Sequence, residues 1–192
     1  MIRRGNGVRL TGEWDSRAVP LLTGAAEIIT APLPDVIDSE NFTPRLLALL
    51  SNALVWRESR LLRQEFNLGT NDWRVISALS IRPGATSSDI AVFLAMNKAI
   101  VSKSVNTLIA RDLIVPADGK RGSRHLYLTA AGADMHDRMK SISLQGQDII
   151  LSDLSADEVS QLNHLLTRLL QKMPELSGPF GASGDTADAS DD

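Results

Sequence analysis

The chain contains no cysteine, which removes disulfides, thiol redox sensing and thiolate metal sites at once. Histidine is nearly as scarce: His125, His136 and His164 are the only three, and they lie far apart in the sequence. His136 is followed directly by Asp137, and neighbouring side chains leave a helix in different directions. Asp134 and Asp137 stand beside Arg138, the pattern of a solvated helix face rather than a carboxylate pair. No nucleophile motif is present, and the glycines after residue 177 neither follow a strand nor open a helix, so they do not form a phosphate loop. An enzyme is therefore not expected, and no cofactor or metal is implied. No apolar run approaches the roughly 18–20 residues that a membrane span needs. The N-terminus carries basic residues but no apolar core of the kind a secretory signal has. These absences together predict a soluble cytoplasmic protein without a membrane partner, for which the Asn41-Phe42-Thr43 glycosylation match carries no meaning.

What is present suits one packed domain. Of 192 residues, 43% are hydrophobic and 22% charged, enough apolar matter for a real core. Residues 1–41 read as an irregular arm, interrupted by glycines and by Pro20, Pro32 and Pro34, with a short apolar piece from Leu21 to Ile29. Arg3, Arg4 and Arg9 could form a DNA-binding arm, or the segment could simply be a disordered start. The folded part spans about 42–176. Thr43-Pro44 starts a helix as N-cap and proline at the first helical position, and Leu46, Leu50 and Leu54 stay in register towards Phe66. Thr70 opens a second helix holding Trp73, Ile76 and Leu79, stopped by Pro83-Gly84. Thr129 caps a long helix through Met135 and Met139, and Ser155 with Glu158 is a capping box for a last helix ended by Pro174. That last helix carries Leu162, Leu165, Leu166, Leu169 and Leu170, more leucine than one narrow face requires. Either these leucines fill an intramolecular core or they meet a second copy of the chain. Residues 177–192 are a small-residue acidic tail expected to be disordered.

Residues 86–129 are the most informative stretch. Thr86 and Asp89 start a short helix with Ile90, Phe93 and Leu94 at helical spacing, and Met96-Asn97 turns the chain into a second helix. There Val101, Val105 and Leu108 share a buried stripe, while Lys103, Asn106, Thr107 and Ala110 fall opposite. Ala99, Ser102, Ser104 and Ala110 are short enough to let the backbone approach a groove. Leu113 to Val115 reads as a strand, Pro116 to Ser123 as a mobile connection, and Leu126 to Leu128 as the returning strand. This order is a helix-turn-helix with a β-hairpin wing, a shape suited to the DNA major groove. Six basic residues, Lys98, Lys103, Arg111, Lys120, Arg121 and Arg124, face two acidic ones between 97 and 125, for a local net charge of +4 in a chain of −3.

The motifs N-K-A-I-V-S-K-S-V-N-T-L-I-A-R-D-L-I at 97–114, K-R-G at 120–122 and L-T-A-A-G at 128–132 resemble the MarR (multiple antibiotic resistance regulator) family of winged helix-turn-helix transcription factors, over about residues 42–173. The resemblance implies a mainly α fold with a small β-wing. The winged helix would lie at about 70–129 and dimerisation helices at about 44–66 and 130–173. It implies a homodimeric repressor that binds an inverted-repeat duplex DNA operator and is released by a small aromatic or carboxylate effector. Carried over by position, Asn97, Lys98, Ser102, Lys103 and Thr107 take recognition-helix roles, and Arg121 takes the wing arginine role; Asn106 joins the DNA-binding candidates from its place on the outer face, where an Asn can pair with adenine. Family members commonly place Asp directly before the wing basic pair. Here Gly119 stands there, with Asp118 one residue earlier, which leaves open which of Lys120, Arg121 and Arg124 enters the groove. Asp112 also replaces the glycine often found after the recognition helix. Dimerisation is assigned to Leu46, Leu50, Leu162, Leu166 and Leu169. Trp56, Arg57, Arg60 and Trp73 are candidates for an effector crevice, against the plainer reading of Trp73 as core and the arginines as surface. The alternative function is a winged-helix module that binds protein and has lost DNA binding; such a module would not be expected to keep Lys98, Lys103 and Arg121.

Overall fold

The computed structural model describes residues 29, 31–119 and 123–176. The chain divides into two units, Met1–Glu40 and Asn41–Asp192. In the first, the described residues 31–40 are all exposed and Glu40 N–H donates to Asp38 Oδ1 at 3.0 Å. The rest of the N-terminal arm, with Arg3, Arg4 and Arg9, lies outside the described residues, as do Lys120, Arg121 and the tail from 177.

The second unit runs α1 (Thr43–Phe66), α2 (Thr70–Ile81), α3 (Ser87–Phe93), α4 (Lys98–Ile109), β1 (Ile114–Asp118), β2 (Arg124–Leu128), α5 (Ala130–Leu151), α6 (Ala156–Leu170) and α7 (Met173–Leu176). Among the described residues the fold is mainly helical with one two-stranded antiparallel sheet. No described helix is long and apolar enough to cross a membrane.

Short polar side chains set the helix starts. Asn97 accepts from Ala99 N–H, Thr129 from Gly132 N–H and Ser155 from Glu158 N–H, each relieving a first-turn amide that has no helical partner. Thr43 is already inside α1; Phe42 occupies the cap position and contributes no side-chain bond, while Pro44 sits in the first turn, where its missing N–H costs nothing. Pro174 does not end α6 either. That helix stops at Leu170, and Pro174 is the second residue of the separate turn α7, a position that also needs no amide donor.

The core gathers one stripe from each of several elements. Leu62 and Phe66 close α1 over Trp73, Ile76 and Leu79 of α2, with Ile90, Val101, Val105, Leu108, Met139 and Ile142 around them. Of the apolar trio expected in α3, only Ile90 is fully buried. Phe93 is half-exposed under the Arg82 guanidinium, 4.1 Å from its ring centroid, and Leu94 is the C-cap.

The wing is more regular than a mobile connection from Pro116 onward. β1 continues through Pro116 and Ala117 to Asp118, and β2 resumes at Arg124, with Pro116 opposite Leu126. Leu126 directs its N–H to Ala85 O (3.1 Å) and accepts Gly84 N–H (2.9 Å). Its backbone therefore bonds away from β1, and Pro116 loses no ladder bond by having no N–H. Asp112, at the expected glycine position, has φ 55°, a left-handed geometry that Asp tolerates better than most residues. Thr129 Oγ1 donates to Asp112 O at 2.7 Å and holds this bend against the start of α5.

The L-T-A-A-G motif has a packing reason. A Cβ on Gly132 would come 1.9 Å from Leu113 O. Only a glycine lets the first turn of α5 lie against the backbone entering β1.

Candidate nucleic-acid interface

α3 and α4 form the helix-turn-helix, joined by the four residues 94–97. The start of α3 is fixed reciprocally: Thr86 Oγ1 accepts from Asp89 N–H, while Asp89 Oδ2 accepts from Thr86 N–H at 2.9 Å. The backbone and hydroxyl donors of Thr86 hold the Asp89 carboxyl below its ordinary range. Ala95, in the turn, is left-handed at φ 49°.

α4 buries Val101, Ser104, Val105 and Leu108 and leaves Lys98, Ala99, Lys103 and Asn106 exposed, with Ser102 and Thr107 between. Ser104, expected among the short residues that approach a groove, is instead 4% exposed on the core side. At helical spacing it falls three residues from Val101 and four from Leu108, within the buried stripe. The remaining recognition-helix candidates fall on two flanks. Ser102 and Asn106 share a small recess with Ser87 and Arg124 at the wing base. Lys103 and Thr107 line a larger cleft towards α1 and the start of α2. Asn97 stands exposed at the head of α4, next to Lys98.

Arg124 begins β2, opposite Asp118, and is exposed. Behind it, His125 Nδ1 donates to Gly84 O at 2.7 Å, tying the wing to the loop before α3. Arg111 belongs to the fold rather than to the basic surface. Its Nη1 donates to Phe66 O and to Asn67 O, both at 3.0 Å, closing the C-terminus of α1 where cationic donors are favoured. Sequence reasoning counted Arg111 with the surface charge, and no local pattern distinguishes it.

The effector candidates separate. Arg57 and Trp73 line one crevice of about 400 Å³ between α1, α2 and α5, together with Leu50, Leu54 and Ile142. Arg57 is anchored there by bonds to Ile142 O (3.2 Å) and Gln145 Oε1 (3.3 Å). Trp73 is buried, its ring 5.4 Å from that of His136. Trp56 and Arg60 are exposed and outside the crevice. The side chains of His136 and Asp137 do not diverge: Nδ1 and Oδ1 are 2.9 Å apart. With the ring packed on Trp73, Nδ1 is left at the edge of the helix within reach of the next residue.

Of the dimerisation candidates, Leu46 and Leu50 of α1 and Leu169 of α6 are exposed, and Leu162 and Leu166 are half-buried. α6 buries none of its residues, so its leucines do not fill a core within the described chain.

This arrangement of helices, turn, recognition-type helix and hairpin defines a winged helix-turn-helix protein. Residues 66–124 match the model of the MarR family. A MarR/EmrR family transcriptional regulator from Acinetobacter sp. ADP1 is similar at 25% identity and a TM-score of 0.67, over 72% of this chain and 99% of that one. A MarR family regulator from Silicibacter pomeroyi matches at 20% identity and TM-score 0.66, over 71% and 93%. The MepR protein of S. aureus, in a complex with DNA, matches at 24% identity and TM-score 0.62, over 69% and 97%. No curated protein sequence matches the chain. The chain thus carries a segment that matches the MarR family model and has the fold of solved MarR-family transcriptional regulators.

Proposed function

We propose that this protein is a homodimeric, sequence-specific duplex DNA-binding regulator that acts as a repressor and is released by a small molecule. The observation that carries the reading is the outer side of α4, where Lys98, Ala99, Lys103 and Asn106 are exposed without a carboxylate among them. Small residues permit close approach, Asn106 can pair with an adenine edge, and the lysines meet phosphates. Arg124 is exposed at the start of β2, and Lys120 and Arg121 precede it in the sequence between the two strands; narrow grooves attract such cations. The DNA bound by MepR supports the same use of the fold.

The exposed and half-buried leucines of α1 and α6 support dimerisation. A 15-residue helix with no fully buried residue gains little stability from propensity alone. A second copy packed through Leu46, Leu50, Leu162, Leu166 and Leu169 supplies the missing apolar cover. Two α4 helices related by a two-fold would enter successive major grooves roughly 34 Å apart, so the target is an inverted repeat. The effector, a small aromatic or carboxylate molecule, fits the crevice of Arg57 and Trp73, where it can shift the spacing of the two helices. The fold organisation proposed with this reading is an arm at 1–41, a MarR-like domain at 42–176 and an acidic tail at 177–192, in a cytoplasmic protein.

Selection of bound sequences from a random duplex pool tests the reading. The expected product is an inverted repeat with half-site centres one helical turn apart. Enrichment of no sequence, at low salt as well as moderate salt, would favour the protein-interaction alternative.

A further inference from the structure

Along the edge away from β1, β2 meets the loop that leads into α3. Leu126 N–H donates to Ala85 O at 3.1 Å, and Gly84 N–H donates to Leu126 O at 2.9 Å. His125 adds a side-chain tie at the same place, its Nδ1 lying 2.7 Å from Gly84 O. A carbonyl oxygen only accepts, so Nδ1 carries the proton, and in the neutral ring Nε2 is then an acceptor. Nε2 lies 3.2 Å from Ser123 Oγ, whose hydroxyl supplies that proton. The half-buried ring thus bridges the loop before α3 and the residue that leads into β2. Gly119 leaves room for it: a Cβ there would collide with the ring and with Ser123 Oγ.

Arg124 stands between the two ends of the Ser123–His125 contact. Side chains alternate along a strand, so Arg124 shares a face with buried Leu126 and not with His125. On that face Arg124 and Leu126 line a recess of about 200 Å³ with Ser87, Ser102 and Asn106. We propose that His125 is the positioning residue for Arg124: it fixes the start of β2 so that Arg124 stands beside Ser102 and Asn106, and the guanidinium and α4 meet one stretch of duplex together. Fixing that backbone before binding lowers the cost of ordering a long cationic side chain on the nucleic acid. The role in DNA binding rests on the function proposed above; the bridge from Gly84 to Ser123 does not.

The first measurement is the tautomer of His125 in the isotopically labelled full-length protein at about pH 8, where an imidazole is neutral. The expected ring carries its proton on Nδ1, opposite to the form that a free imidazole favours; an Nε2–H ring overturns the bridge. The second is affinity for a duplex bearing the selected inverted repeat. His125→Ala and Arg124→Ala should each weaken binding roughly tenfold, with the amide resonances of the helices unchanged. The double variant should bind no more weakly than Arg124→Ala alone. A residue acting through Arg124 requires that non-additivity, whereas an independent structural loss would add to it. His125→Asn, whose side-chain amide can donate to Gly84 O in place of Nδ1, should stay within about threefold of wild type. Additive losses, or wild-type affinity for His125→Ala, overturn the assignment while DNA binding stands. Wild type that binds no duplex at low salt overturns the proposed function instead, and the role of His125 with it.

Discussion

At the scale of single residues, Gly132 and Asp89 show how one atom or one proton governs a local structure. A Cβ at position 132 would sit 1.9 Å from Leu113 O, and that backbone carbonyl cannot rotate away as a side chain can. Gly132→Ala is therefore expected to destabilise the domain by about 2 kcal/mol or more, despite alanine's better helix propensity. Denaturant unfolding at neutral pH checks this, and an unchanged midpoint would contradict the close approach. Asp89 makes a prediction in pH. Its carboxyl is held low by the Thr86 donors, so the native state binds its proton less readily than the unfolded chain does. The cap's contribution is present above the ordinary carboxylate pKa of about 4. It fades as pH falls through the depressed native value. Asp89→Asn should lower stability at pH 7 and reduce the loss of stability below pH 4; an identical acid profile in the variant would contradict it. Glu158, held low by Ser155 at the start of α6, adds a second acid-labile cap of the same sign.

At the scale of elements, legibility in the sequence tracked the range of the interaction. Capping, the Val101-Val105-Leu108 stripe and the helix-turn-helix order are set by residues three or four apart, so reading along the chain finds them. Arg111 reaches Phe66 and Asn67, about 45 residues back, and a basic residue at a helix end looks the same whether it caps a distant helix or faces solvent. Pro116 appeared to break the wing because its pairing is decided by Leu126 bonding to Ala85 instead. Ser104 was read by its small polar side chain, while its helical phase puts it on the core side. Of the effector candidates, residue type alone grouped four, and the fold brings Arg57 and Trp73 together. The leucines of α6, none of them fully buried, give the prediction at this scale. Leu166→Glu places a charge in the proposed dimer seam and should convert the protein to a folded monomer, read by sedimentation or light scattering. A variant that remains a dimer with unchanged affinity would contradict that seam.

At the scale of the molecule, a chain of net charge −3 exposes Lys98 and Lys103 on the outer side of α4 with no carboxylate among them. It also leaves its apolar excess on α1 and α6. In the proposed reading the first of these surfaces meets a polyanion and the second meets another copy of the chain. The central claim is that the outer side of α4, with the wing, holds duplex DNA, and Lys103→Ala combined with Arg121→Ala tests it most directly. Both substitutions remove charge, and Lys103 is exposed outside the core stripe. The affinity of wild type and double variant for the selected duplex, measured by fluorescence anisotropy across a salt series, is the decisive measurement. The account predicts weaker binding for a variant that stays folded and dimeric. It also predicts a log–log salt slope shallower by about 0.9 for each phosphate contact removed. Equal affinity and equal slope for the two proteins would contradict it.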